Sequence, residues 1–176
     1  MRKCFVAIVI LTMFLSACVT TAPTADIEIA TEVNSKANIT GYSSYAWLGS
    51  AAIVNDRNGR WEPPQFDADA EIKFLIDRKL RARGMSEDSI DPDVIVVFAA
   101  GIDMESIDLD IDTATNLAVM ENVPLGALLV ILVDARSGDA IWGGRATGEI
   151  QENSSQQVIK KRLDFAITNM FSRLPK

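Results

Sequence analysis

Two runs of apolar residues dominate the sequence: Val94–Ala100 (Val-Ile-Val-Val-Phe-Ala-Ala) and Leu125–Val133 (Leu-Gly-Ala-Leu-Leu-Val-Ile-Leu-Val). Neither leaves a polar face. A continuous, β-branched run is the pattern of a strand covered on both sides, so the first run predicts a central strand of a sheet. The second predicts another apolar strand. After it, Asp134-Ala135-Arg136-Ser137-Gly138-Asp139 forms a hairpin tip in which Gly138 supplies a positive φ. The return strand runs from Ala140 to about Ile150, through Trp142 and a Gly143-Gly144 pair that reads as a bulge or kink.

The remaining elements follow from periodicity. Ile27, Ile29, Thr31 and Val33 alternate with polar residues, a strand signal, and Tyr42–Leu48 is an aromatic-rich second strand. Asn55–Gly59 and Pro63-Pro64 make the next stretch a loop. Asp67 begins a helix with Ile72, Leu75, Ile76 and Leu80 on one face, Lys79, Arg81 and Arg83 near its end, and Gly84 as its stop. Ile107–Asp112 alternates strictly as an amphipathic strand, whereas Thr113–Pro124 reads as a helical turn or a loop. Ser154 or Ser155 caps a last helix to about Phe171, striped by Ile159, Leu163, Ala166, Ile167, Met170 and Leu174. The predicted fold is α+β: a mostly antiparallel sheet of five to six strands with two helices packed on one face.

The first eighteen residues read as an address. Met1-Arg2-Lys3 is positive, and the apolar run Phe5–Leu15 is too short to span a bilayer but suits a secretory leader. Leu15-Ser16-Ala17-Cys18 resembles a bacterial lipobox, whose cysteine takes a diacylglycerol before cleavage leaves it as the first residue. The expected organisation is a signal peptide over 1–17, lipidated Cys18 with a flexible tether over 18–26, and one α+β domain over 27–176, closed by Lys176 just after the last helix. Acyl chains on Cys18 make the membrane its partner. Val19 is not the aspartate that retains such proteins at the inner membrane, so the outer membrane, facing the periplasm, is the expected destination.

Composition narrows the chemistry. There is no histidine, hence no imidazole base, no Ser-His-Asp or Cys-His machinery and no His-ligated metal. Of the 2 cysteines, Cys4 leaves with the leader and Cys18 is taken by lipid. Loss of Arg2 and Lys3 takes the net charge from −7 to −9, which argues against a nucleic-acid partner.

Several segments in order carry a family resemblance: Tyr42-Ser43-Ser44-Tyr45-Ala46-Trp47; the helix reading Asp69, Ile72, Leu80, Gly84; Asp91-Pro92-Asp93-Val94; Gly126-Ala127-Leu128-Leu129-Val130 leading to Val133-Asp134-Ala135-Arg136-Ser137-Gly138; and Ile141-Trp142-Gly143-Gly144-Arg145-Ala146. Together, from about residue 28 to 174, they resemble the bacterial lipoprotein family catalogued as domain of unknown function 4136. The resemblance implies a lipid-anchored envelope domain with an α+β fold, no established activity and no catalytic residues to carry over. The chain departs from the pattern in Gly143-Gly144, where one polar or basic residue usually follows the tryptophan, and in its acidic segment around Asp108.

No constellation of the sequence makes a catalytic or metal site. Asp108-Leu109-Asp110-Ile111-Asp112 imitates the start of a calcium loop, but Thr113 stands where the glycine belongs and Val119 where the bidentate glutamate belongs. Within the acidic stretch that begins with Asp103 and Glu105, it reads as a strand with Ile107, Leu109 and Ile111 inward and three aspartates in water, which guards a sheet edge. Asp134 and Asp139 flank a hairpin tip, where aspartate serves local hydrogen bonding. Trp47 and Trp142 read as core, their indole N–H groups bonded locally. Trp61, beside Arg60 in a loop, has no strand or helix pattern to require it, so Trp61 and Arg60 are the candidate partner-binding residues. Lys160-Lys161-Arg162 reads as a solvated face. The function expected is a non-enzymatic binding or adaptor domain, without cofactor, for a protein of the envelope. The alternatives are a small-ligand carrier and a carboxylate-based hydrolase of an envelope glycan.

Overall fold

The computed structural model describes residues 22–37, 39, 41–54, 65–102, 107–111, 118–122, 126–149 and 154–175. The strands are β1 (Glu28–Val33), β2 (Ser44–Val54), β3 (Ser86–Glu87), β4 (Val94–Ile102), β5 (Ile107–Ile111), β6 (Ala118–Asn122), β7 (Gly126–Asp134) and β8 (Ala140–Gly148). The helices are α1 (Ala68–Arg81) and α2 (Gln156–Ser172). Six strands form one sheet in the order β1-β8-β7-β4-β2-β3, and both apolar runs lie at its centre as β4 and β7.

The sheet is mostly antiparallel, as expected, and parallel on one side. β2 runs parallel to β4 and to the two-residue β3, while β1–β8, β8–β7 and β7–β4 are antiparallel. The cause is the connection. Two strands joined by a tight turn must be antiparallel, but β2 reaches β4 through α1, and a crossover helix returns the chain in its original direction.

Both helices pack on one face. Ile72, Leu75, Ile76 and Leu80 of α1 and Ala166, Ile167, Met170 and Phe171 of α2 close over Val94, Val96 and Phe98 of β4, Leu128, Val130 and Leu132 of β7, and Trp142 of β8 in a single core. Asp67 caps α1 by accepting from the Ala70 N–H at 2.9 Å, and Ser155 caps α2 through the Val158 N–H. Gly84, at φ 84°, follows α1, and Gly138, at φ 78°, closes the β7–β8 turn. On the other face Ala46, Ala99 and Leu129 are buried, and Ile95, Val97, Ile131 and Val133 are half-buried. Among the described residues no helix packs there.

Irregularities fall where periodicity is silent. The Gly143-Gly144 pair is in register, and the extra residue of the β7–β8 ladder is Ile141 instead. A second break exposes Leu48, 74% accessible, beside Gly49 at φ 141°. Residues 118–122, expected as turn or loop, form β6 and pair antiparallel with β5.

The two ends of the sheet differ. At one, β1 and β7 begin, β2, β4 and β8 end, and the N-terminal segment enters from Ala22; this is the tether end. At the other, β2 and β4 begin and the Asp134–Asp139 turn joins β7 to β8.

Candidate functional site

The motifs that are scattered in sequence meet at the end opposite the tether. The start of β4 brings Asp93 under Ser43 and Ser44, whose backbone N–H groups donate to its Oδ2 at 2.8 and 3.0 Å, and whose hydroxyls lie at 3.0 Å from the same oxygen. The Asp93 N–H in turn donates to Ser44 Oγ at 2.9 Å, and its carbonyl accepts from the Ala135 N–H at 2.9 Å. Four donors on one carboxylate favour its charged form, and Asp93 is held below the usual carboxylate range chiefly by its bond from the Ser43 backbone.

Asp134 completes the knot. Its Oδ2 accepts from Tyr42 Oη at 2.6 Å, and its Oδ1 accepts from the Arg136 and Ser137 N–H groups at 2.9 and 2.7 Å. The Tyr42 bond is the main reason Asp134 sits low, while burial and then Asp134 push the Tyr42 phenol up to about 12. Tyr45, two strand positions beyond Ser43 and fully buried, donates to Asp77 of α1 at 2.8 Å and is likewise pushed up to about 12, mainly by burial. Tyr42→Phe is expected to cost about 1–2 kcal/mol, the loss of one charge-assisted bond to a shielded acceptor, read from the urea midpoint at neutral pH.

At the tether end Arg162 of α2 forms a clamp. Its guanidinium donates to both Asp26 oxygens at 2.8 and 2.6 Å, to the Glu149 carbonyl at 3.2 Å and to the Pro23 carbonyl. The Glu149 N–H also donates to Asp26 at 2.9 Å. Arg162 is the largest cause that lowers Asp26 to about 2. Gly148 lies under this clamp, where a Cβ would stand 3.0 Å from an Arg162 nitrogen and 3.2 Å from an Asp26 oxygen.

The aromatics expected in the core are placed there with one difference. Trp142 is fully buried against Phe171, ring centroids 5.2 Å apart, and Trp47 makes edge contacts to Tyr45 and Phe98. Among the described residues the Trp142 Nε1–H has no hydrogen-bond partner, contrary to the local bond expected for a buried indole. Cys18, Arg60 and Trp61 lie outside the described residues, as do Asn55–Gly59 and Asp103, Glu105 and Asp112 of the acidic segment; Asp108 and Asp110 lie on β5. Among the described residues no three acidic or thiol groups converge as a metal site, no charged side chain is fully buried, and no helix is long and apolar enough to cross a membrane. The clamp escaped the sequence reading because Lys160, Lys161 and Arg162 look alike on a helix. The one signal was Asp26 just ahead of the first strand.

The comparisons agree with this architecture. No curated protein matches the chain. A solved protein of the domain-of-unknown-function 4136 family from Bacteroides thetaiotaomicron is 11% identical and superposes with a TM-score of 0.59 over 84% of this chain and 95% of that one. PelC from Paraburkholderia phytofirmans, solved as a dodecamer, is 14% identical with a TM-score of 0.50 over 83% of this chain and 95% of that one. The family model for that domain of unknown function matches residues 29–176. The segments of the resemblance are thus the ones the fold knots together, and this chain belongs to the domain-of-unknown-function 4136 family.

Proposed function

We propose that the protein is a lipid-anchored domain of the bacterial outer membrane, facing the periplasm, that works by binding an envelope protein rather than by catalysis. The observation that carries this reading is the occupation of the carboxylates held at the two ends of the sheet. Asp26, Asp93 and Asp134 each accept from fixed donors and are held in the ionised form. Acid–base chemistry near neutral pH calls for the opposite, a carboxyl pushed upward by burial. The lipobox ending at Cys18 supplies the anchor, and the polar groups that converge at the Asp93–Asp134 knot are occupied by one another.

Two measurements test the parts separately. Metabolic labelling with an alkyne fatty acid is expected to mark the wild type and not Cys18→Ser; label on the variant overturns the anchor. Crosslinking in intact cells followed by mass spectrometry is expected to capture a discrete envelope protein, with capture weakened by Trp61→Ala at unchanged thermal stability. Absence of any specific partner overturns the adaptor reading in favour of a small-molecule carrier.

A second reading, association of copies, is favoured by the apolar second face of the sheet, where Ile95, Val97, Ile131 and Val133 lie uncovered by any described helix. PelC, of similar fold, is solved as a dodecamer. The mass of the detergent-solubilised protein decides it: a monomer overturns this reading.

A further inference from the structure

The fold begins close behind the anchor. Ala22 is already buried, the Pro23 carbonyl accepts from Arg162, and Asp26 is held through both carboxylate oxygens. Only Val19, Thr20 and Thr21 separate Cys18 from Ala22. At no more than about 3.6 Å per residue, the four steps from Cys18 to Ala22 reach at most about 14 Å. The sheet is longer than that. Along β8, from Gly148 to Ala140, about 3.4 Å per residue carries the chain about 27 Å to the opposite end. A lipid on Cys18 therefore holds the domain at the bilayer by one end only.

From these lengths we infer that the tether end of the sheet is the membrane-facing surface: Ala22–Ile27, Gly148-Glu149 and the first turns of α2 meet the phospholipid headgroups, and the Asp134–Asp139 turn points away from them. The inference rests on the lipid-anchor reading above and adds the direction in which the domain faces. At the tether end Asp26 is paired with Arg162, and Glu71 near the start of α1 with Lys160 at 2.6 Å.

The native cysteines make the test direct. Cys4 leaves with the leader and Cys18 is acylated, so an introduced cysteine is the sole thiol. Glu149→Cys at the tether end and Arg136→Cys at the opposite end are both exposed positions whose structural bonds come from the backbone. Each full-length lipidated variant is labelled with an environment-sensitive fluorophore and reconstituted into phosphatidylethanolamine–phosphatidylglycerol vesicles carrying a headgroup nitroxide quencher. Quenching is expected to be several-fold stronger at position 149 than at 136. The difference is expected to collapse when about 20 Gly/Ser residues, a coil spanning about 25 Å, are inserted after Val19. Equal quenching, or stronger quenching at 136, overturns the orientation. A difference that survives the long tether overturns the tether as its cause. Flotation of the wild type with the vesicles separates the two readings: failure to float removes the anchor itself, whereas flotation with equal quenching removes only the orientation.

Discussion

Gly144→Ala is expected to destabilise the protein by about 2–3 kcal/mol, a fall of roughly 5–10 °C in Tm for a domain of this size. The direction is informative because backbone entropy alone predicts the reverse: in a strand, alanine is favoured over glycine by about 0.5–1 kcal/mol. The opposing term is steric. A Cβ on Gly144 would stand 2.5 Å from Trp142 Cη2 and 2.9 Å from Cζ2, with Met170 Sδ at 3.1 Å. The methionine can yield. The indole cannot, because it is a rigid ring, fully buried and packed on Phe171. The measurement is thermal unfolding of the single variants and the pair. In a Trp142→Phe background the shorter ring leaves room, so Gly144→Ala is expected to cost clearly less there. An equal cost in both backgrounds places the clash elsewhere. Gly144 thus has a local reason: it seats this tryptophan.

Arg162→Met is expected to cost about 2–4 kcal/mol and to flatten the acid limb of the stability curve, both read from denaturant unfolding between pH 7 and pH 2. Methionine keeps the apolar stem and removes every donor. The Asp26 carboxylate, on a side chain only 19% exposed, is then left without its charge partner. The pH dependence follows from the sign of the shift. Asp26 is lowered from 3.8 to about 2 in the folded state, so its contribution is complete above pH 4 and disappears as pH falls through about 2. The full shift corresponds to about 2 kcal/mol, which partial solvent contact reduces to about 1. In Arg162→Met that acid-labile part is absent. An unchanged acid limb would mean that the Glu149 N–H, rather than Arg162, holds the Asp26 charge.

Much of the fold is written in neighbouring residues. Ile72, Leu75, Ile76 and Leu80 recur at helical spacing and are the buried face of α1, and Asp67, Gly84, Gly138 and Ser155 stand at the caps and turn where their side chains or backbone freedom are needed. Strands β4 and β7 needed nothing beyond their own unbroken apolar character. The segment 118–122 was opaque for a corresponding reason. Ala-Val-Met-Glu-Asn has no period of its own and becomes a strand only because β5 pairs with it.

The candidate site was less legible. Tyr42, Asp93 and Asp134 are visible as motif residues, but nothing local says that a phenol at 42 donates to a carboxylate at 134, or that Ser43 and Ser44 enclose Asp93. The same holds for Arg162 and Asp26, 136 positions apart, and for the place of the extra residue at Ile141 rather than at the glycine pair.

By itself, then, the sequence determined most of the element types, their caps and turns, and the spacing of four residues from Cys18 to Ala22. These depend on interactions within one or two turns of chain or on chain length alone. Only the tertiary structure decided that β2 lies parallel to β4, that Trp142 needs a glycine two residues on, which of three adjacent basic residues closes on the tether, and which end of the sheet that tether leaves. Those outcomes depend on which distant surfaces can be buried together without a clash or an unpaired charge, and no short window of sequence contains both partners.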